Sequence, residues 1–378
     1  MELLSAQETN EIEVIMKKHN VLEMSVNFRR KWEDASGKKI SEISSIYHYT
    51  SIEGLKGILD NSSLRFTNGK YLNDSTEFLH GINKIKECAE NIKKKQNNIE
   101  NKNEIDKLFD EKIKLLIEKV IIKSKNTFIL STSLNNDSLM LWSNYSNYSG
   151  YSIGINFEKL RKFIFGGYWG VSEESERIKY SCSNGEIKDY YTLDEETYNQ
   201  NMMNGKYPLV DFCGVIYNED IQNELILYDL RVLYEDICMK YYNKLDFKSN
   251  SGIYKDEKLS FIIDEIVEGI AASFSLIIVY FKNKGFYPEE EFRITITVFD
   301  EFNLKEILNF RTSNGIFMPY IESVFMSYEG SKIFPIDSIT IGPINSDIIA
   351  KDGLLEYINH IGFDIGDRIY RSNITLRY

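Results

Sequence analysis

Three short stretches hold side chains whose types and spacing suit chemistry. The first, IYHYTSIEGLKGIL at residues 46 to 59, sets His48 between two tyrosines where an expected strand runs into an expected helix. A histidine at such a corner serves as a satisfied core residue, a metal ligand or a hydrogen-bonding clamp on a small molecule. The second, TFILSTSL, carries Ser131 and Ser133 two residues apart on a middle strand. The third, PEEEFRITITVF, places Glu289, Glu291 and Arg293 on one face of a strand, with Glu290 and Phe292 on the other. Two carboxylates and a guanidinium would then share a cleft, an arrangement fit for acid–base work. The plainer alternative is a solvated strand end on which Arg293 pairs with an acid.

Other chemistries find less support. The four histidines, His19, His48, His80 and His360, are widely spaced and lack an adjacent cysteine or a His-x-x-x-His helix, so no metal site is expected. No serine sits in a nucleophile elbow; GYSIG has the letters but falls inside an expected strand. Cys88, Cys182, Cys213 and Cys238 show no short paired spacing and read as reduced thiols of a cytoplasmic protein.

The elements that must position these groups follow from periodicity. Residues 8 to 34 read as a helical extension with Ile12, Val14, Ile15 and Met16 on its apolar stripe and Trp32 as an anchor, broken at Gly37. A strand ISSIYHYT leads into a helix opened by a capping box of Thr50 and Glu53. SLRFTNGKYLNDSTEF reads as a second strand and a polar loop, with Asp74 and Glu77 near a helix start. From Ile82 to Lys125 the chain lacks Pro and Gly and predicts a helical pair; TFILSTSL and GYSIGINF are strands joined by an aromatic stretch in which Trp142 packs. Residues 180 to 280 read mostly helical, and strands return at EEFRITITVF, SITIGP and RIYRSN. With no internal repeat or low-complexity linker, one α+β domain with helical insertions is the economical organisation.

Composition sets bounds on partners. The 378 residues are 43% hydrophobic and 27% charged, ordinary for a folded chain, with a generous 13% aromatic. Asp plus Glu exceed Lys plus Arg by 57 to 45, a formal charge of −12, which disfavours a nucleic-acid coat protein. The first twenty residues carry acids and no long apolar run, and no later run reaches spanning length, so neither a signal peptide nor a membrane span is expected.

Taken in order, His48, the STS strand and the Glu-x-Glu strand resemble the ADP-ribosyltransferase superfamily. The segments YHYTSIEGLKGIL, YLNDSTEF, LWSNYSNYSGYSIGINF, GFYPEEEFRI, ITIGP and RIYRSNI resemble a large uncharacterised bacterial family. That family is itself similar to the superfamily near its DNA-modifying toxins and RNA phosphotransferases. The resemblance covers residues 46 to 378 and leaves 1–45 as an N-terminal extension. It implies an ADP-ribosyltransferase-like split, twisted sheet with helical insertions at about 82–125 and 158–280. It also implies NAD as co-substrate, Glu291 as the carboxylate that stabilises an oxocarbenium-like ribose, and Glu289 as a base for the acceptor. The implied cofactor-facing set is His48, Tyr49, Thr50, Arg65, Tyr71, Asn73, Asp74, Ser131, Ser133 and Arg293, with Tyr71 stacking on nicotinamide. Ser131 and Ser133 resemble the arginine-type branch, in which an arginine stands where this chain has His48. A toxin or phage-defence effector is the implied role, with a macromolecular acceptor, nucleic acid favoured over protein by a small margin, and an inhibitory partner protein as a further implied partner. The alternatives are an NAD glycohydrolase and a noncatalytic nucleotide-binding module. A nucleic-acid acceptor would need a local basic strip such as Lys93, Lys94, Lys95, Lys123 and Lys125.

Overall fold

The computed structural model describes residues 21–72, 76–96, 99–165, 176–181, 187–189, 209–242, 257–298, 301–313, 315–327, 334–345 and 348–375. In chain order its elements are α1 (Val21–Ser36), β1 (Ser45–Thr50), α2 (Ile52–Asn61), β2 (Ser63–Asn68), α3 (Thr76–Lys95), α4 (Lys102–Ser124), β3 (Thr127–Ser133), α5 (Leu139–Ser146), β4 (Tyr151–Asn156) and α6 (Phe157–Phe165). There follow β5 (Glu176–Ser181), β6 (Ile187–Asp189), β7 (Leu209–Gly214), α7 (Glu219–Arg231), α8 (Glu257–Ile277), β8 (Glu291–Thr297), α9 (Glu301–Ile307), β9 (Leu308–Ser313), β10 (Ile316–Ser327), β11 (Ile336–Ile341), α10 (Ile348–His360) and β12 (Ile369–Arg371). The protein is α+β. The helical insertion expected over about 158–280 also holds β5, β6 and β7, and residues 8 to 20 of the helix expected over 8 to 34, with His19 and Cys182, lie outside the described residues.

Contacts divide the chain into two compact units, Met1–Gly37, Asp74–Lys125 and Ile216–Lys284 forming one, and Lys38–Asn73, Asn126–Val215 and Gly285–Tyr378 the other. The expected extension up to Gly37 and the expected first insertion thus share a unit with residues 216–284, while Lys38 and the rest of that extension belong to the other.

The first unit is helical. Its helices bury stripes that recur every three or four residues: Ile82, Ile85, Ala89 and Ile92 on α3, and Ile105, Leu108, Phe109, Leu116 and Val120 on α4. Trp32 is buried on α1, as its role as an anchor requires, and α1 ends where Gly37 adopts φ +67° and donates its N–H to Glu33 O. Cations that enter this core bring partners, as Lys112 does with Asp264 at 2.9 Å and Lys282 with Glu77 at 2.9 Å. The Glu77 carboxylate therefore holds a buried lysine, a larger task than capping α3.

The second unit is built on one sheet with the strand order β12-β11-β4-β1-β3-β2-β10-β5-β6, in which β8 joins β3 to β7, and β9 pairs with β10. Its pairings are antiparallel except β11 with β12. The branch point is β3. β8 runs along the whole of one edge, from Thr127↔Thr297 to Ser133↔Glu291. β1 and β2 must then share the other edge: β1 touches it at Tyr47↔Ser133, and β2 at Thr67↔Ile129 and Asn68↔Phe128. Both run antiparallel to β3, and α2 connects them. Over the middle of β3 they part, and the sheet forks.

Short segments explain several of the sequence motifs. The N-cap of α2 is Ser51, whose Oγ accepts from Gly54 N, rather than the expected Thr50; Thr50 is still in β1, paired with Tyr151. The glycines of SNYSG and ITIGP meet each other. A Cβ on Gly342 would lie 2.7 Å from Tyr148 O and 2.8 Å from Gly150 O, so only glycine lets β11 close on β4 there. Among the described residues, no helix is long and apolar enough to cross a membrane.

Candidate functional site

The fork leaves a wedge between the end of β1 and the start of β2. A carbonyl on an unpaired stretch of β3 needs a donor, and His48 supplies one: its Nδ1 lies 3.2 Å from Ser131 O. Nδ1 is then the protonated nitrogen and Nε2 is left as an acceptor. Burial holds the imidazole below its ordinary pKa; the bond to Ser131 opposes this, and the positive charge of Arg311 adds to it.

Arg311 comes from β9 and donates from Nη2 to Thr67 Oγ1 at 3.3 Å. Its own pKa is lowered by burial and by the neighbouring Arg65. Arg65 stacks over Tyr320 at 4.9 Å and pairs with Glu322 at 3.3 Å. Arg311 has no carboxylate partner among the described residues. A half-neutralised pair of guanidiniums beside a histidine, on the lip of a wedge, is an anion-binding arrangement.

The remaining expected site residues fall into four groups. Ser131 contributes its carbonyl to His48, and Arg65 stands on β2 beside Glu322 and Tyr320. Tyr49, Ser133, Glu289, Glu291 and Arg293 are committed elsewhere. The Tyr49 hydroxyl donates to Asn135 O and accepts from Ser138 N at 2.9 Å each, and its ring packs edge-on against buried Trp142 at 4.8 Å. Ser133 Oγ donates to Glu289 O at 2.7 Å and accepts from Asn135 N at 3.0 Å. These bonds tie the chain after β3 to the chain before β8, which is a structural task.

Glu289 is not on the strand with Glu291. It closes a 3-10 turn, Lys284–Glu289, followed by Glu290 at φ 42°, so the strand alternation begins only at Glu291. The left-handed conformation costs Glu290 about 1 kcal/mol; its carboxylate is anchored by Lys38 at 2.6 Å. Glu291 and Arg293 do share a face, as alternation requires. They meet through two bonds, Nε to Oε1 at 2.7 Å and Nη2 to Oε2 at 2.9 Å, with Glu291 5% and Arg293 2% exposed. The plainer expectation for Arg293 is the one realised, though buried where a solvated strand end was expected. Register puts Tyr47, Ser133 and Glu291 on one face, and His48 on the next position of β1 reaches β3 through its backbone instead.

Thr50 closes β1 with its Oγ1 in the space a Cβ of Gly54 would take. Tyr71 lies in the 3-10 turn Gly69–Tyr71, beyond the joined end of β2 and away from the wedge opening. Asn73 and Asp74 lie outside the described residues. Of the residues that line the wedge, sequence reasoning missed Thr67, Arg311 and Tyr320. Thr67 and Arg311 are 244 residues apart in the chain, and no motif marks any of the three.

A forked α+β sheet with a cationic wedge defines the class of structure. A family model described as "Protein of unknown function (DUF2971)" matches residues 141–294, from α5 into β8; the stretch takes in Glu289, Glu291 and Arg293 and stops short of His48 and the wedge arginines. No curated protein and no solved structure gives a match.

Proposed function

We propose that the wedge binds NAD and that the protein is an ADP-ribosyltransferase acting on a macromolecule, with the forked sheet as an ADP-ribosyltransferase-like split sheet. The observation that carries this reading is the parting of β1 and β2 over β3, with His48 on one lip and the acid-free Arg311 on the other. A diphosphate is the group such a guanidinium takes best, and Nε2 of His48 would accept from a ribose hydroxyl. Cleavage of the nicotinamide–ribose bond needs a carboxylate near the developing sugar cation. Glu291 is the residue assigned to it, its carboxylate held in place by the two bonds from Arg293.

The burial of that same pair favours a second reading, a nucleotide-binding module without turnover, because a carboxylate only 5% exposed is poorly placed to meet a sugar. Titration calorimetry with NAD, run beside an assay of nicotinamide release and label transfer in cell lysate, separates the two. Binding with transferred label supports the transferase; binding with free ADP-ribose and no labelled macromolecule makes it a glycohydrolase; binding without product supports the module. Absence of NAD binding rejects all three.

A further inference from the structure

The helical unit carries a groove of about 1000 Å³ lined by α1, α3 and α7, large for a small-molecule site. What sets it apart is the state of its cations. In this unit Lys84, Lys93, Lys102, Lys112, Lys119 and Lys123 are each bound to a carboxylate. The expected basic strip is thereby neutralised at Lys93 and Lys123. In the groove, by contrast, Lys95 and Arg231 have no acid partner among the described residues, and Arg30 donates only to the Asn27 amide at 3.1 Å.

Acids also line this groove, and most are engaged: Glu224 is paired with Lys31, and Glu235 accepts from Gln96 Nε2 at 3.1 Å. Asp220 sits in the first turn of α7, where the helix amides favour it. Beside the free cations stand groups that read bases. Asn91 is exposed; Asn223 has its Oδ1 within 3.6 Å of Cys88 Sγ, which leaves its amide N–H groups to donate; and the Tyr228 ring is 59% exposed. Cations for phosphate, amides for base edges and an aromatic ring for stacking together define one ligand chemistry.

We propose that this groove is a binding site for a nucleoside phosphate, either as a free nucleotide or as part of a single strand. The proposal is independent of the wedge and of any NAD chemistry there. Arg30, Lys95 and Arg231 hold phosphate, and Tyr228 stacks on the base. The cations and the ring are surface groups on intact helices, so their removal leaves the fold in place.

The test measures ADP by calorimetry and a fluorescein-labelled oligoadenylate of about ten nucleotides by anisotropy, the two arms separating free nucleotide from single strand. Both use the full chain carrying Arg311→Ala, which disables the wedge, with and without Lys95→Ala plus Arg231→Ala. Lys94→Ala, exposed on α3 and outside the groove, is the control. The expected result is binding that survives Arg311→Ala and Lys94→Ala, weakens about tenfold or more in the double variant, and falls with Tyr228→Ala. For the oligonucleotide, the logarithmic salt slope should shrink by about 0.7 for each cation removed. No binding of either probe to the Arg311→Ala chain, or binding indifferent to the groove variants, overturns the proposal.

Discussion

His48 Nδ1 stands 3.2 Å from the carbonyl oxygen of Ser131, on the stretch of β3 that neither β1 nor β2 covers. The ring replaces a missing ladder bond, and in doing so it is fixed in one tautomer at the mouth of the wedge. Nδ1 thus serves the sheet, and the ligand proposed above would meet Nε2.

That position gives stability a pH dependence. Burial holds His48 below its ordinary 6.5 against the pull of the Ser131 bond, and Arg311 adds to the lowering. Beneath that value the unfolded chain takes up a proton that the folded chain resists, so its contribution is complete above 6.5 and declines as the pH falls. His48→Asn, which still offers an N–H to Ser131 and does not titrate, should lose less stability between neutral and mildly acidic pH than wild type. Urea denaturation at both pH values measures the difference, and equal losses would remove His48 from the account.

Glu291→Gln is expected to do more than silence a carboxylate. Its sequence context alone predicts a variant that folds and does not turn over. The buried pair changes that expectation, because Gln would remove the carboxylate charge that faces the buried Arg293 guanidinium, at a cost of about 3 kcal/mol. Chemical denaturation of Glu291→Gln beside the double change Glu291→Gln with Arg293→Met checks it. The double variant should recover part of the loss, and a single variant as stable as wild type would show that the pair contributes nothing.

Arg311→Ala should cost little stability, since its described bond is one contact to Thr67. The same change should weaken NAD binding about tenfold or more, the loss of roughly 1.5 kcal/mol of charge-assisted bonding. Calorimetry with NAD reads it directly. Unaltered affinity would take the diphosphate away from this lip of the wedge.

Ser51→Ala should cost about 1 kcal/mol through loss of the cap on α2, whereas Thr50→Val, which removes the hydroxyl at the position the sequence suggests for that cap, should leave the cap intact. Thermal unfolding of the two variants separates them. A larger loss from Thr50→Val would return the capping role to Thr50.

Local order was legible wherever one element sufficed to define it. The 3.6-residue stripes of α3 and α4, the break at Gly37, the burial of Trp142 and the strand character of GYSIGINF all depend on a few adjacent residues. The capping residue missed by one position, since Thr and Ser are both good caps and only the reach of β1 to Thr50 tells them apart. Glu289 was misplaced because alternation assumes an unbroken strand, and the turn at Glu290 starts the count two residues later.

By itself the sequence determined where most of the helices and strands run and that Glu291 and Arg293 share a face, for these follow from backbone periodicity and side-chain type. Only the tertiary structure decided what each group does. Whether Ser133 and Tyr49 face a ligand or bind backbone depends on the loop that returns to them, and Arg311 reaches Thr67 through pairings of β9 with β10 and β10 with β2. The fork in the sheet is a competition of two strands for one edge of β3, an outcome of long-range pairing that no local pattern encodes.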